Sequence, residues 1–378
     1  MMWLGAIFAI GVLIVVHEAG HYFVARWCKM RVDRFSIGFG PPIWSWQRSS
    51  TKFQIAPIPF GGYVQINGML IADEIDPDDP FAYPNRPAWQ RFLTIFAGPA
   101  TNYLFAAVLA IFLFAVAGVP TGTAWWQVAG VNKDTPAATA VRLDKEGGME
   151  MPSEPRGLKP GDRIVRVDGK SLYAMYGGAS SRPTLPERLE AHKVKFFGTV
   201  AVATRAEVVV QRGGKEYVYA VTPGTMKAGK RTYFGLGISI RPKFERVGVG
   251  PFGVLGHALY YPVKQTRAIA VGLWQIINKE QEGQFLGPVG ITDKIKESIE
   301  LGWISMIQLL MILNVYLGLF NLFPLPALDG GRLVFLTYEM ATRRRANPKV
   351  EAAVHMVGIM ALLLLMVVVT FNDIVRLF

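Results

Sequence analysis

Four stretches of this sequence are apolar for long enough to cross a lipid bilayer, which restricts the fold before any motif is considered. They run from Met1 to Ala25, Phe92 to Val119, Leu301 to Leu328 and Val354 to Asn372, the last inside a terminal segment 354–378. A span needs about 20 apolar residues, and since lipid offers no partner to backbone N–H and C=O groups, each stretch must satisfy its own as a helix. At 51% hydrophobic residues the chain is also too apolar for an ordinary soluble protein. The expected fold is an α-helical membrane protein with four transmembrane helices.

The net charge of +12 suits either nucleic acid or an anionic membrane surface. No basic tract with interleaved aromatics occurs, so membrane lipid is the expected partner and nucleic acid is not. The single cysteine, Cys28, excludes an internal disulfide framework and Cys-rich zinc modules. No basic residue precedes the first apolar stretch and no small-residue cleavage site follows it, which speaks for a retained span over a cleaved leader.

Lys and Arg cluster beside three span ends: Arg26, Lys29, Arg31 and Arg34; Arg86 and Arg91; and Arg332, Arg343, Arg344, Arg345 and Lys349. The positive-inside rule makes that side cytoplasmic, so both termini and the region from about Pro120 to Glu300 are expected outside. Between the first two spans, segment 26–91 alternates short apolar runs with Gly and Pro from Ser36 to Gln65, as re-entrant hairpins would. Segment 329–353 is expected to be a cytoplasmic loop.

The outer region 120–243 reads as a folded β-rich domain. The string GLKPGDRIVRVDG, Gly157 to Gly169, encodes a turn, an alternating strand and a second turn. Further strands are expected at Ala206 to Arg212, Lys215 to Thr222 and Phe234 to Ile240, with loop insertions at Leu143 to Arg156 and Tyr173 to Lys195. The string resembles the signature of PDZ domains, which bind extended peptides by adding a strand to a sheet edge; a small β-rich domain with a common turn is the plainer alternative. Segment 244–300 connects this region to the third span. Its stretch Tyr260 to Ile277, with Trp274, suits a helix at the outer membrane interface or one packed on the β-rich domain.

The chemistry concentrates in the first span. In HEAGH, His17 and His21 stand four apart, so on a helix both imidazoles leave one face and can hold one metal with Glu18 beside it. An ionisable group at mid-membrane costs about 2.5–3.5 kcal/mol even on the gentler scales, and three within five positions call for a compensating partner such as zinc. The alternatives are a cluster that satisfies itself in the bundle, or a proton relay. His192, His257 and His355 lack such company and are expected at surface or interfacial positions.

A catalytic zinc takes three protein ligands and leaves a fourth position open. The best third candidate is Asp329, where Pro324 and Pro326 should break the third helix and leave irregular backbone facing a cavity. It could instead merely cap the following segment. The rival carboxylates Asp73, Glu74, Asp76, Asp78 and Asp79 lie in a polar, solvated loop.

HEAGH in the first span, Gly98 to Asn102 (GPATN) in the second, Asn321 to Gly331 (NLFPLPALDGG) in the third and the PDZ-like region together resemble the site-2 protease family of intramembrane metalloproteases. Arg34 to Pro41, Pro59 to Val64 and Gly287 to Ile291 also resemble its bacterial regulator-of-sigma-E type. The resemblance implies one catalytic Zn2+ held by His17, His21 and Asp329, with Glu18 activating water. It implies Asn321 as a polar contact to substrate or oxyanion, and Gly61, Gly62, Tyr63 and Val64 as part of a membrane-associated β-hairpin that offers an edge to an unwound substrate. Better-known members carry two PDZ domains in tandem and an Asn five residues before the position of Asn321; this chain shows one such region and has Tyr316 there, with Asn314 nearby and given no role.

The implied activity is hydrolysis of peptide bonds in or near transmembrane segments of single-span proteins, such as anti-sigma factors or signal-peptide remnants, in the bacterial inner membrane and with no oligomer required. A proton-coupled transporter or a non-catalytic PDZ-bearing scaffold are the rival functions, but no internal repeat supports a transporter.

Overall fold

The computed structural model describes residues 2–69, 76–144, 150–151, 156–171, 173–175, 193–196, 199–203, 205–228, 231–278 and 287–377. Two compact units emerge: Met1–Ala117 with Val249–Phe378, and Gly118–Gly248.

The first unit is helical. Its helices are α1 (Met2–Trp27), α2 (Ala88–Ala117), α3 (Pro251–Ile277), α4 (Pro288–Glu300), α5 (Trp303–Leu322), α6 (Asp329–Thr342) and α7 (Pro348–Leu377). Among the described residues four helices are long and apolar enough to cross a membrane: Phe8–Trp27, Ala88–Ala117, Trp303–Leu322 and Pro348–Phe371. On α7 Met356, Val357, Met360, Leu364, Leu365, Val367 and Phe371 are exposed, a surface that suits lipid rather than water.

The helices meet through small residues and apolar side chains. A methyl group on Gly20 would strike the Ala97 carbonyl and one on Gly98 the ring of His21, so α1 and α2 approach to backbone contact. Thr101 Oγ1 adds a bridge, lying 3.0 Å from the Val16 carbonyl of α1 and 2.8 Å from that of Gly98. Ala106 of α2, Ile269 of α3 and Val315 of α5 form a second contact, and Ile95 of α2 packs on Leu333 and Leu336 of α6. Helix α3 thus packs on α2 and α5, with the Tyr103 and Thr266 hydroxyls 2.9 Å apart, and leaves Trp274 exposed. The N-terminus of α4 is capped from α7, where buried Asp373 accepts the Gly290 N–H at 2.9 Å.

The third span ends earlier than the hydropathy predicts, at Leu322 rather than Leu328, because Pro324 and Pro326 cannot continue it. The segment read as a cytoplasmic loop contains helix α6, whose apolar residues Leu333 and Leu336 pay for its folding by burial against α2.

Between α1 and α2 the chain forms β1 (Val32–Phe39), β2 (Trp44–Arg48), β3 (Thr51–Ile55) and β4 (Ile58–Ile66). They make a four-stranded sheet in the order β2-β3-β1-β4, with β1 and β3 parallel. This is more than the hairpin that the sequence suggests: the Tyr22 ring of α1 meets Phe35 of β1 and Phe53 of β3 edge-on, at 5.7 and 5.6 Å, and seats the sheet on α1. Strand β4 closes one edge, paired only with β1 among the described strands.

The second unit is an antiparallel sheet whose strands follow the spatial order 238–247, 119–131, 163–167, 206–212, 215–221 and 141–143. Alternation along Ala206–Arg212 and Lys215–Val221 buries Val208, Val210, Tyr219 and Val221 with Ile164, Val167 and Leu236. Gly213 and Gly214, both at positive φ, supply the tight connection between those two strands. The strand expected at Phe234 to Ile240 is broken at Gly237, which separates Arg231–Gly235 from Ile238–Val247. Of the two expected insertions, Tyr173–Met175 and Lys193–Phe196 are strands, and 145–149, 152–155 and 176–192 lie outside the described residues.

Buried Asp162 anchors the Gly157–Gly169 string. It accepts the Lys159 N–H at 2.8 Å and pairs with the Arg212 guanidinium through both oxygens, at 2.6 and 2.7 Å, which holds that guanidinium's pKa above its ordinary value. Removing one partner of a fully buried pair costs about 3–5 kcal/mol, and the partial exposure of Arg212 lowers that here. Asp162→Ala in the full-length protein should therefore lower the melting of this unit by roughly 5–15 °C, followed by limited proteolysis against temperature. An unchanged transition would refute the anchoring role.

Candidate metal centre

Helix geometry brings His17 and His21 to one face of α1, one turn apart, and the close α1–α2 contact buries them to 9% and 8% exposure. Opposite them, Thr94, Gly98 and Asn102 recur every four residues and form one stripe of α2. His21 Nδ1 donates to the Thr94 carbonyl at 2.8 Å, Gly98 makes room for the ring, and the Asn102 amide lies 3.0 Å from His17 Nδ1.

The third donor arrives from the chain break after α5. Past Pro324 and Pro326 the backbone turns at Ala327, which has φ 73° and donates its N–H to His355 Nδ1 at 3.0 Å. Leu328 is the N-cap residue of α6, Asp329 opens the helix, and buried Gly330 and Gly331 pack on the backbone of Leu322 to Leu325. His355 is thus no surface residue: it lies half-buried under this turn, because the left-handed Ala327 directs its N–H into the bundle. His257 is exposed, and His192 lies outside the described residues.

Three lone-pair donors converge. Asp329 Oδ2 stands 3.1 Å from His17 Nε2 and 3.4 Å from His21 Nε2, and the two imidazole nitrogens are 3.3 Å apart. Asp329 Oδ2 is buried and, among the described residues, faces these two ring nitrogens without a further hydrogen-bond partner. A tetrahedral zinc with bonds of about 2.0–2.1 Å holds its ligand atoms roughly 3.3 Å apart, so the donor set fits such an ion in chemistry and spacing. The carboxylates Asp76, Asp78 and Asp79 take no part; Asp79 pairs with Arg31 at 3.1 Å, while Asp73 and Glu74 lie outside the described residues.

Glu18 lies on α1 beside the trio, with His17, His21 and Asp329 as its ionisable neighbours and the Val64 backbone N–H turned to its carboxylate. Strand β4 runs past it: a methyl on Gly62 would sit 3.0 Å from Ile14 and 3.5 Å from the Glu18 Cγ. Tyr63 points elsewhere, its hydroxyl accepting from Arg34 and Gln54 at 3.2 and 3.3 Å, and Gly61 faces the Phe39 ring. Asn321 is not joined to the trio; its amide donates to the Leu317 carbonyl of its own helix at 2.9 Å. Asn314 is fully buried and does the same to Leu310 at 2.8 Å.

Sequence reasoning left Thr94, Asn102 and His355 without roles. The four-residue spacing of Thr94, Gly98 and Asn102 is the signal that could have found the first two; His355 is placed by a turn that carries no such signature.

Two imidazoles and a carboxylate gathered between apolar helices, with an acid one residue along, define a metallohydrolase-type centre in a membrane protein. Residues 5–365 match the model of peptidase family M50. A relative from Fusobacterium nucleatum is 30% identical over 100% of both chains, and one from Mesorhizobium japonicum is 31% identical over 98% of this chain and 99% of its own. Another, from Neisseria meningitidis, is 27% identical over 99% of each, and all three carry the name "Putative zinc metalloprotease". The chain belongs to peptidase family M50, the site-2-protease type of intramembrane zinc metalloproteases.

The packing of Gly98 on His21 has a direct test. Gly98→Ala favours the helix by propensity yet displaces the ring, so zinc affinity measured by chelator competition should fall roughly 10–100-fold. Undiminished affinity would contradict the packing.

Proposed function

We propose that this protein is an endopeptidase that cuts single-span membrane proteins in or near their transmembrane segments, using one zinc ion held by His17, His21 and Asp329. The observation that carries the reading is the convergence of those three donor atoms within 3.4 Å inside the helical unit. When bound, zinc supplies Lewis acidity that polarises a peptide carbonyl and lowers the pKa of water beside it. Glu18 takes the proton of the attacking water and delivers it to the departing amine nitrogen. His17, His21 and Asp329 hold the centre in place, and the apolar helix walls limit the water that reaches it.

A helical substrate hides its scissile bond, so it must be unwound before attack. Strand β4 offers an edge for this, because among the described strands only β1 pairs with it and Gly62 lies against α1 next to Glu18. Backbone pairing along Gly61, Gly62, Tyr63 and Val64 would hold the substrate extended. Asn321 completes the set as a polar contact to the substrate; its helix-satisfied amide would have to leave Leu317 to serve.

The distribution of Lys and Arg supports a site towards the cytoplasmic side of a bacterial inner membrane, with both termini outside. The Gly157–Gly169 string and the antiparallel sheet support a PDZ-like reading of the unit 118–248, which would screen the outer portions of substrates. Anti-sigma factors and signal-peptide remnants have the required single-span form.

Purified protein given a model single-span substrate tests the assignment. Glu18→Gln should lower cleavage by about 10²–10⁴-fold while zinc content stays at the wild-type level; equal activity would return the cluster to a proton-relay role. Tyr63→Pro removes a backbone donor from β4 and should slow cleavage of a helical substrate more than that of an already extended peptide. Equal effects on the two would remove β4 from the mechanism.

A further inference from the structure

The outer nitrogens of the two histidines meet different partners, and the difference decides which nitrogen of each ring is free. His21 Nδ1 faces the Thr94 carbonyl at 2.8 Å. A carbonyl oxygen only accepts, so Nδ1 carries the proton and Nε2 keeps its lone pair for the centre. His17 Nδ1 faces a side-chain amide, Asn102, at 3.0 Å. With the amide nitrogen towards the ring, Nδ1 accepts and the proton of the neutral imidazole sits on Nε2, between His21 Nε2 and Asp329 Oδ2, where a metal needs the lone pair.

Asn102 carries the remedy itself. It is completely buried, and its Oδ1 has no hydrogen-bond partner among the described residues. The two ends of a carboxamide are nearly alike in shape, so a half-turn about Cβ–Cγ presents Oδ1 to the ring without repacking α1 against α2. We propose that Asn102 is the positioning residue of His17: its Oδ1 accepts the Nδ1–H, fixing the tautomer in which Nε2 faces the metal. The proposal rests on the zinc reading of the centre. It makes His17 and His21 equivalent in kind, each held from behind by an oxygen of α2, the stripe Thr94 and Asn102 supplying one apiece.

The test uses the full-length protein in detergent with zinc as the probe, and chelator competition as the readout. Asn102→Leu keeps the volume and removes the acceptor, and should weaken zinc binding about 10–100-fold. Asn102→Asp restores an oxygen and should stay within about threefold of wild type. In zinc-loaded wild type labelled with 15N-histidine, both rings should show a protonated Nδ1 and a ligated Nε2, a readout that needs no variant to fold. Wild-type affinity in Asn102→Leu, affinity in folded Asn102→Asp as poor as in Asn102→Leu, or an unprotonated His17 Nδ1 would each overturn the proposal while leaving the metal centre intact. Absence of zinc binding in the wild type would sink the metal reading instead.

Discussion

Everything in the helical unit turns on how closely α1 and α2 can approach. Gly20 and Gly98 allow backbone contact, and only at that separation does the face of α1 that carries His17 and His21 reach the carbonyl and amide of α2. The cost of placing ionisable groups among apolar helices is then met locally. Each imidazole has an oxygen or amide behind it and a lone pair in front, and the carboxylate of Asp329 faces both. A larger residue at either glycine would separate the two shells, and three polar side chains would remain without compensation.

The second constraint is the break after α5. A continuous helix would carry Asp329 onward along its axis. Pro324 and Pro326 stop the helix, Ala327 turns the chain with its N–H tied to His355, and Asp329 enters at the start of α6 beside the histidines. Irregular backbone at this place is affordable because Gly330 and Gly331 pack it against the end of α5 and α6 buries Leu333 and Leu336 on α2. The sheet uses the same economy: the rings of Tyr22, Phe35 and Phe53 seat it on α1, which sets β4 alongside Glu18.

The spans, the paired histidines and the proline break were legible in the sequence because each depends on short-range rules: runs of apolar residues, helical spacing, a missing N–H. The strand at Ala206–Arg212 was legible for the same reason, its alternation marking a half-buried strand. The parallel pairing of β1 with β3 was not, since it joins residues whose relation is set by packing on α1 rather than by local pattern. Helix α6 was hidden by charge, Arg332 within it and the run from Arg343 to Arg345 just after it, which read as loop. Asn102 and His355 were missed because their importance lies in what they touch, and both contacts span long separations in the chain.

X-ray absorption at the zinc edge of the purified protein tests the account most directly. It should find about one zinc per chain with nitrogen and oxygen ligands only, at roughly 2.0–2.1 Å, and two of them imidazoles. A sulfur ligand near 2.3 Å, which Cys28 alone could supply, or fewer than two imidazoles, would contradict a centre built from His17, His21 and Asp329.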